Sequence, residues 1–326
     1  MSCAWIDYKK AFDSVPHSWT IKSLELVKAS PIFVNFLENS MKLWTTNLFL
    51  THENGTMSCE GLKIKRGIFQ GDSLSPLLFC ISLFPLSLEL NNSTYGYKIV
   101  NKKISHLFYM DDLKLFGKND GEIEGLLKIV KGFSDDIGME FGLNKCAKAT
   151  FLKGKLKKSS DVYLDSSTTI RDLEHERFYK YLGVTEGEGI QHSKMKEQLR
   201  KEIFRRTRKI LKTELNSKNR ITAINTLALP VVTYSFNIIN WNLSEIKKLD
   251  VKIKKLMTRY NMHHPKADVD RLYLPRSSGG RGMIQLELSY KTATIGMRKY
   301  LEHSDDWMMQ LVFNHENGKK TALCCK

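Results

Sequence analysis

The chain has 326 residues, 42% of them hydrophobic, so it can bury a sizeable core, and its length suits about two domains. Lys and Arg exceed Asp and Glu by 51 to 35, and the net charge of +16 favours a polyanionic partner, nucleic acid before membrane. The alternative is a basic, soluble surface without such a partner.

Cysteine spacing and apolar tracts limit the class of protein. The six cysteines include no Cys-x-x-Cys pair, which argues against a disulfide framework or a zinc finger and indicates a reduced intracellular location, nuclear or cytoplasmic. The short apolar start already holds Asp7 and does not match a secretory signal. The tract 74–90 contains Pro76, Pro85 and Glu89, so it predicts a buried core helix and not a membrane span.

The first predicted elements are a short strand, two helices and a hairpin. Residues 3–8 are largely apolar, carry the single acid Asp7, and predict the strand. Helices are predicted after Ser18 and from Pro31, where apolar residues recur at helical spacing. The hairpin has strands 47–51 and 56–64 and the strong turn signal Asn54-Gly55.

A basic loop with two glycines precedes the apolar helix. Residues 63–76 begin with three basic residues and lead into the helix. A loop that ends at a helix N-terminus offers backbone N–H groups to phosphate or template. The alternative is a glycine turn capped by Asp72 or Ser73, and on local grounds the two interpretations are even.

Two adjacent acids, Asp111 and Asp112, lie between apolar runs that predict strands at 104–110 and 113–116. Two carboxylates in one tight turn repel each other, and a divalent cation would relieve the repulsion. Most Asp-Asp pairs are simply solvated turns. The third acid, Asp7 on the first strand, favours the metal interpretation, because carboxylates on neighbouring strand ends suit a two-metal phosphoryl-transfer site.

The remaining elements of the first half are predicted to complete the sheet. An amphipathic helix at 121–138 is expected to pack on the sheet that carries the acids. Loop and strand follow at 141–152, and the polar segment 154–177 is expected to be a surface excursion. Residues 178–184 predict a short strand that ends in a glycine turn.

Beyond Gly189 the pattern is helical and basic. Residues 194–212 contain nine Lys or Arg against two Glu, a net +7, on a helix that can track a phosphate backbone or form a solvated face. The further predicted elements are a helix from about Arg220 bent at Pro230, a helix through 246–256, a basic glycine-rich loop at 271–282 and a last helix at 284–301.

The order of motifs resembles the reverse transcriptase domain of non-LTR (LINE-type) retrotransposons. The resemblance covers residues 1–185, with weaker similarity beyond. Its five segments are Trp5-Ile6-Asp7-Tyr8 through His17, Arg66-Gly67-Ile68-Phe69-Gln70-Gly71-Asp72 through Phe79, Phe108-Tyr109-Met110-Asp111-Asp112, Phe141-Gly142-Leu143-Asn144-Lys145, and Tyr179 through Val184.

The resemblance implies an α+β, right-hand polymerase: an antiparallel palm sheet with packed helices, then helical regions. Its expected parts are a palm with partial fingers at 1–185, a helical thumb-like region at 186–265, and a C-terminal helical extension at 266–326. It implies catalytic acids that hold two Mg²⁺ ions, with Mn²⁺ as the alternative, and transfer dNTPs onto a DNA primer along an RNA template. Those acids are Asp7, Asp111 and Asp112.

The resemblance also implies contacts with substrate. Tyr8 adds a carbonyl ligand, Phe12 excludes a ribose 2′-hydroxyl, Gln70 and Gly71 line the nascent pair, and Lys145, with Lys148 as competitor, lies near the pyrophosphate. The expected primer and template contacts are Arg66, Tyr181, Leu182, Gly183, Arg200 and Arg205. Each of three residues also has a simpler interpretation. Phe12 would be an ordinary core residue, Lys145 would be a solvated surface lysine, and Tyr181 would be an aromatic residue that only packs.

The chain departs from the family at its start. Only six residues precede Asp7, whereas the family places basic fingers strands there to hold the triphosphate. We therefore expect a fragment of a retrotransposon polyprotein that is a polymerase by lineage, and the absence of these strands leaves the activity of the isolated chain an open question. The alternative expectation is a non-catalytic, nucleic-acid-binding remnant of a retroelement.

Overall fold

A computed structural model of the chain describes residues 1–53, 55–173 and 178–317. It divides into two compact units, residues 1–189 and 190–326. The first unit combines a sheet with packed helices, and the elements described in the second unit are helices, so the predicted α+β class is confirmed. The three-part division predicted from the sequence stays a prediction.

The first unit contains five helices among its described residues: α1 (Ala11–Ser14), α2 (His17–Leu26), α3 (Pro31–Lys42), α4 (Ser75–Asn92) and α5 (Asp120–Ile137). Its described strands are β1 (Ser2–Ile6), β2 (Thr45–His52), β3 (Gly55–Lys63), β4 (Tyr97–Ile99), β5 (Lys102–Ile104), β6 (His106–Tyr109), β7 (Asp112–Gly117), β8 (Ala147–Leu152), β9 (Lys155–Lys157), β10 (Val162–Tyr163), β11 (Thr169–Asp172), β12 (Tyr179–Tyr181) and β13 (Val184–Glu186).

The main sheet has the strand order β10-β11-β8-β1-β7-β6, with β9 paired to β8. Its pairs are antiparallel except β8 with β11, which is parallel. Strand β1 lies at the centre, and its side chains are buried on both faces. Ala4 and Ile6 join the core that includes side chains of α4 and α5, while Cys3 and Trp5 pack on the opposite face. This two-sided burial explains why β1 is an unbroken apolar run.

The β6–β7 hairpin differs in detail from the prediction. Tyr109 pairs with Asp112, so the two-residue turn consists of Met110 and Asp111. Asp112 is the first residue of β7, and the expectation that both acids lie in the turn is wrong. Strand pairing decides this boundary, because Asp112 completes the ladder with Tyr109. Met110 has a φ of 53°, a left-handed conformation that a non-glycine residue adopts only under local constraint.

Two other predictions for the first unit need correction. The segment 154–177 is not simply a surface excursion, because its described part contains β9, β10 and β11 and buries Val162 and Ile170. Residues 174–177 lie outside the described residues. In the β2–β3 hairpin, Gly55 pairs with His52 and therefore lies in the strand, while Asn54 lies outside the described residues.

The second unit is described by helices α6 (His192–Leu211), α7 (Ser217–Ala223), α8 (Pro230–Thr233), α9 (Leu243–Arg259), α10 (Asp270–Tyr273), α11 (Leu286–His303) and α12 (Trp307–Asn317). The regular α-helix predicted from about Arg220 is interrupted before Pro230, where the N–H of Leu229 reaches back to the carbonyl of Ile224 in a π-helical turn, while the bend at Pro230 itself stays a prediction. The helix predicted at 284–301 corresponds to α11, and a further helix, α12, follows it. Within the described ranges, no helix combines the length and apolar character needed to cross a membrane.

Candidate active site

The three acids predicted from the sequence come together where β1 ends and β7 begins. Strand β1 pairs antiparallel with β7, and Ile6 lies opposite Leu113. Continuing this register by one residue brings Asp7 opposite Asp112, with Asp111 adjacent in the β6–β7 turn. The pKa of Asp112 is raised, mainly by partial burial and then by the charges of Asp111 and Asp7. The three carboxylates therefore share one electrostatic environment.

Lys145 neutralises the first of these acids. It ends a 3₁₀ turn, Leu143–Lys145, and its Nζ donates to Asp7 Oδ1 at 3.2 Å and Oδ2 at 3.1 Å. Its pKa is raised by the hydrogen bond to Asp7 and by that residue's charge, with smaller contributions from the other two acids. The competitor Lys148 is buried, and its Nζ lies 3.4 Å from Asp120. The contacts therefore favour Lys145 over Lys148 as the site lysine.

The carboxylates of Asp7, Asp111 and Asp112 form a candidate donor set for a divalent cation. Among the described residues, no group of three or more His, Cys, Asp or Glu side chains is arranged as a metal cluster. Both oxygens of Asp7 are engaged by the Lys145 ammonium group, so a cation would have to displace it. Carboxylate oxygens are nevertheless the ligands that Mg²⁺ prefers. Partial burial is the main reason that the pKa of Asp112 is raised, and the further contribution, repulsion from Asp111 and Asp7, is what a cation would relieve. The residues fit the ion chemically.

Two neighbours that the sequence did not single out hold Asp7 in place. The N–H of Gly142 donates to the Asp7 carbonyl at 2.7 Å. The Cys146 thiol contacts the Asp7 N–H at 3.5 Å and its carbonyl at 3.6 Å, and burial raises the pKa of this thiol to about 11. A Cβ on Gly142 would lie 2.8 Å from Asp7 Oδ2, so only glycine fits without a shift. The only sequence signal for Gly142 was its place in the matched segment Phe141-Gly142-Leu143-Asn144-Lys145, to which no role was assigned at this position.

Comparisons with known proteins identify the family of this chain. Residues 2–186 match the family profile "Reverse transcriptase (RNA-dependent DNA polymerase)". The chain belongs to the reverse transcriptase family. The resemblance to reverse transcriptases of non-LTR retrotransposons, predicted from the motifs, is confirmed.

Similar proteins include retrotransposon polyproteins. The chain is 25% identical to the "Retrovirus-related Pol polyprotein from type-2 retrotransposable element R2DM" of Drosophila melanogaster, over 86% of this chain and 26% of the relative. It is 24% identical to the type-1 element R2 polyprotein of Popillia japonica, over 86% of this chain and 46% of the relative. The chain thus spans less than half the length of these relatives. An apo telomerase of Candida tropicalis aligns with a TM-score of 0.40 at 11% identity, over 80% of this chain and 47% of that one.

Tyr8 is held rigidly beside the acids of this reverse transcriptase. Its buried hydroxyl lies 3.0 Å from Ser134 Oγ, and its ring meets the edge of Phe141 at 5.7 Å between centroids. The carbonyl of Asp7 and the N–H of Lys9 bond to the segment around Phe141. These bonds hold the backbone on both sides of Tyr8.

The residues expected around the nucleotide lie on α1 and the loop before α4. Phe12 stacks on Phe79 at 4.4 Å and is half-buried, so it is both a packing residue and partly accessible. Gln70 and Gly71 are exposed, and Gly71 has a φ of 100°. The Asp72 carboxylate accepts the N–H of Leu74 at 2.8 Å, so the capped-turn interpretation describes this part of the loop.

Arg66 connects the same loop to the end of α5. Its Nη1 donates to the carbonyl of Gly138 at 3.2 Å, and its backbone pairs with Pro16 in an isolated bridge. The side chain is exposed. Its expected contact with primer or template stays a prediction.

The reverse transcriptase hairpin β12–β13 is fixed to the sheet by an aromatic cluster. Tyr181 precedes a two-residue turn of Leu182 and Gly183, whose φ values are 45° and 78°. Tyr179 stacks on Trp5 at 4.6 Å and donates from its hydroxyl to the Lys145 carbonyl at 2.7 Å. These contacts connect the expected primer-binding turn to both β1 and the site lysine.

Lys114 on β7 completes this cluster, although no pattern in the sequence singled it out. Its Nζ lies 2.5 Å from Glu186 Oε2 and 5.1 Å from the ring centroids of both Trp5 and Tyr181. The lysine and glutamate side chains are 15% and 22% exposed. Only the pairing of strands distant in sequence reveals this ion pair.

The two arginines expected to contact primer or template in the second unit already have acidic partners. Arg200 Nη2 donates to Glu245 Oε1 at 2.6 Å. Arg205 Nε donates to Glu202 Oε2 at 2.6 Å. A nucleic-acid contact at these positions would compete with these ion pairs, and the prediction of such contacts is untested.

Proposed function

We propose that the chain acts as an RNA-directed DNA polymerase that adds deoxynucleotides to a primer 3′-hydroxyl, using two divalent cations at its three acids. One observation supports the proposal above all: in a chain of this family, the register of β1 with β7, and the effect of the Asp7 and Asp111 charges on the pKa of Asp112, both indicate that these three acids are neighbours. Mg²⁺ is the proposed ion, with Mn²⁺ as the alternative. An intracellular site of action, nuclear or cytoplasmic, is part of the proposal.

The three carboxylates would hold the cations, and the Tyr8 carbonyl would add a ligand. When bound, two cations activate the attacking hydroxyl and stabilise charge on the leaving group in phosphoryl transfer. Lys145, once released from Asp7, would direct its ammonium group at the pyrophosphate as proton donor or charge partner. Its exposed side chain, held at the backbone by the Tyr179 hydroxyl, supports this role.

The surrounding residues would select and align the substrates. The Phe12 ring, stacked on Phe79, would block a ribose 2′-hydroxyl and so favour deoxynucleotides. Gln70 and Gly71 would line the nascent pair on the template. The turn at Tyr181, Leu182 and Gly183 would hold the primer end, because β12–β13 is anchored to the strand that precedes Asp7.

Primer extension on an RNA template with Mg²⁺ tests the proposal. We expect Asp111→Ala to reduce incorporation by about 100-fold or more, the usual cost of removing an electrostatic partner of the transition state. Asp136→Asn, an exposed acid on α5, is the matched control and should leave the rate unchanged. Extension that survives Asp111→Ala would refute the polymerase proposal.

A second candidate function is nucleic-acid binding without catalysis. The net charge of +16 favours it independently of the acids. It predicts salt-sensitive binding to primer–template duplex with no nucleotide incorporation by the wild-type chain. Absence of binding even at low salt would eliminate this candidate.

A further inference from the structure

A cavity of about 580 Å³ lies in the first unit between α2, α3 and the residues that end β3. Its volume is within the range of about 300–1,000 Å³ that is typical of small-molecule sites. We name it the α2–α3 pocket and define it by six of its lining residues: His17, Ile21, Met41, Lys63, Ile64 and Lys65.

Three side chains give the pocket an apolar wall. Met41 is buried, and Ile21 and Ile64 are partly buried. A methionine side chain is flexible and polarisable, so it adapts to ligands of different shape. An apolar group of a ligand would lose contact with water against this wall, and the gain is roughly proportional to the area buried.

Two exposed lysines of the pocket carry charge that the fold leaves uncompensated. Within the described ranges, the ammonium groups of Lys63 and Lys65 have no hydrogen-bond or ion-pair partner. Lys42, which also lines the pocket, differs, because its Nζ lies 2.8 Å from Glu38 Oε1. The unpaired charge at the pocket is therefore positive, and it favours a ligand with an anionic group.

His17 contributes a ring nitrogen that the fold does not use. The residue is 9% exposed, and its Nε2 lies 2.9 Å from the Gly67 carbonyl oxygen. A carbonyl oxygen only accepts, so Nε2 carries the proton of this bond. Nδ1 has no hydrogen-bond partner in the described part of the chain, so it is available to a polar atom of a ligand.

The same histidine connects the pocket to the loop that precedes α4. Its Nε2 holds the carbonyl of Gly67, and its ring meets the edge of Trp44 at 5.1 Å between centroids. The Trp44 ring in turn lies 4.4 Å from that of Phe69, and Gln70 follows directly. A ligand that restrains His17 would therefore restrain the backbone that is expected to line the nascent pair.

We propose that the α2–α3 pocket binds a small organic anion with an apolar body, such as an aliphatic carboxylate, and that binding orders the loop at residues 67–71. The apolar body would lie against the apolar wall, and the anionic group would lie near Lys63 and Lys65. Binding is independent of the polymerase function. The consequence for the reaction rests on the proposed function, since it acts through Gln70.

Isothermal titration calorimetry of the full chain with octanoate, without nucleic acid or divalent ions, tests binding. Octanoate should bind saturably. Acetate, which lacks the apolar body, should bind at least about 100-fold more weakly, and 1-octanol, which lacks the charge, at least about 3-fold more weakly. Lys63→Gln with Lys65→Gln should weaken octanoate binding by about 3- to 30-fold, the effect of losing two exposed charge contacts.

The matched control replaces two exposed lysines of the β4–β5 hairpin, Lys98→Gln with Lys102→Gln. It removes the same formal charge and should keep the wild-type affinity. An equal loss in this control would mean general attraction to a basic chain and would overturn the proposal. Absence of saturable octanoate binding would overturn it too, and so would binding to phosphatidylserine vesicles without binding of free octanoate.

Hydrogen exchange with and without saturating octanoate measures the effect on the loop. Exchange of the amides at 67–71 should slow by about 3-fold or more, while exchange in the β8–β9 hairpin should stay unchanged. Octanoate binding with unchanged exchange at 67–71 would refute the ordering of the loop.

Primer extension by the same protein keeps the pocket and the polymerase function apart. A wild type that binds octanoate but never incorporates a nucleotide refutes the polymerase function alone. A wild type that extends primers but does not bind octanoate refutes the pocket alone.

Discussion

One added methyl group provides a sharp test of the site geometry. Gly142 has φ −80° and ψ 72°, so alanine at this position meets no left-handed backbone strain. Its Cβ would instead lie 2.8 Å from Asp7 Oδ2, a distance shorter than Cβ atoms adopt in folded proteins. The same Cβ would lie 3.4 Å from the Asp7 carbonyl oxygen. The substitution therefore acts on the carboxylate that we propose holds a cation.

The size of the effect follows from that distance. Restoring an ordinary contact of 3.4 Å requires the carboxylate to move by about 0.6 Å, and a misplacement of about 1 Å costs about 100-fold in rate. We therefore expect Gly142→Ala to slow incorporation by about 10-fold, equivalent to about 1.4 kcal/mol in the activation free energy. The Asp7 carboxylate would also bind Mg²⁺ less well, so a higher Mg²⁺ concentration should be needed for half-maximal rate.

Single-turnover incorporation of one dNTP at saturating substrate measures this rate directly. Gly132→Ala is the matched control, since its added Cβ meets nothing within 4 Å on the exposed face of α5. It should keep the wild-type rate and stabilise the protein by about 0.5–1 kcal/mol, the gain of alanine over glycine within a helix. Wild-type incorporation by Gly142→Ala, with unchanged Mg²⁺ dependence, would refute the reasoning.

The other predictions concern the ion pair behind the hairpin and the charge of the acids. Lys114→Met should lower the free energy of opening residues 179–186 by about 1–3 kcal/mol, because it leaves Glu186 mostly buried without its cation. Hydrogen exchange of that segment measures it, and adding Glu186→Gln should recover part of the loss; unchanged protection contradicts the role. The pKa of Asp112 is raised in the folded chain, so its ionised form is destabilising. Asp112→Asn should therefore raise the unfolding midpoint at pH 7 without divalent ions, and the gain should vanish below about pH 4, where the wild-type carboxyl is protonated in both states; a gain independent of pH contradicts this. Mg²⁺ should raise the melting temperature of the wild type but not of Asp111→Asn, and an equal rise in both would argue against binding at these acids.

The sequence by itself predicted the main helices and the strands that carry the three acids, although it missed β9, β10 and β11. Apolar runs interrupted by Asp7 and by Asp111 are local patterns, and strand or helix periodicity depends on near neighbours in the chain. The order of motifs was sufficient to predict the family, which the match over residues 2–186 confirmed. The prediction was weaker at segment boundaries, such as the first residue of β7, because pairing with a partner strand decides where a strand begins.

Only the tertiary structure decided which residues support the acids. Lys145 and Lys148 are three residues apart and alike in sequence, yet one reaches Asp7 and the other is buried against Asp120, because the 3₁₀ turn and β8 direct them differently. Gly142 matters through a contact with a residue far earlier in the chain.

The same holds for charge in the second unit: counting residues indicated a continuous basic face on α6, whereas ion pairs within that helix join Lys201 to Glu197 and Arg205 to Glu202. Charge counts are local, but the neutralisation of a charge depends on which carboxylates folding brings within a few ångströms. The physical reason is common to all these cases: contacts between distant segments depend on strand register and helix packing, which no short stretch of sequence specifies alone.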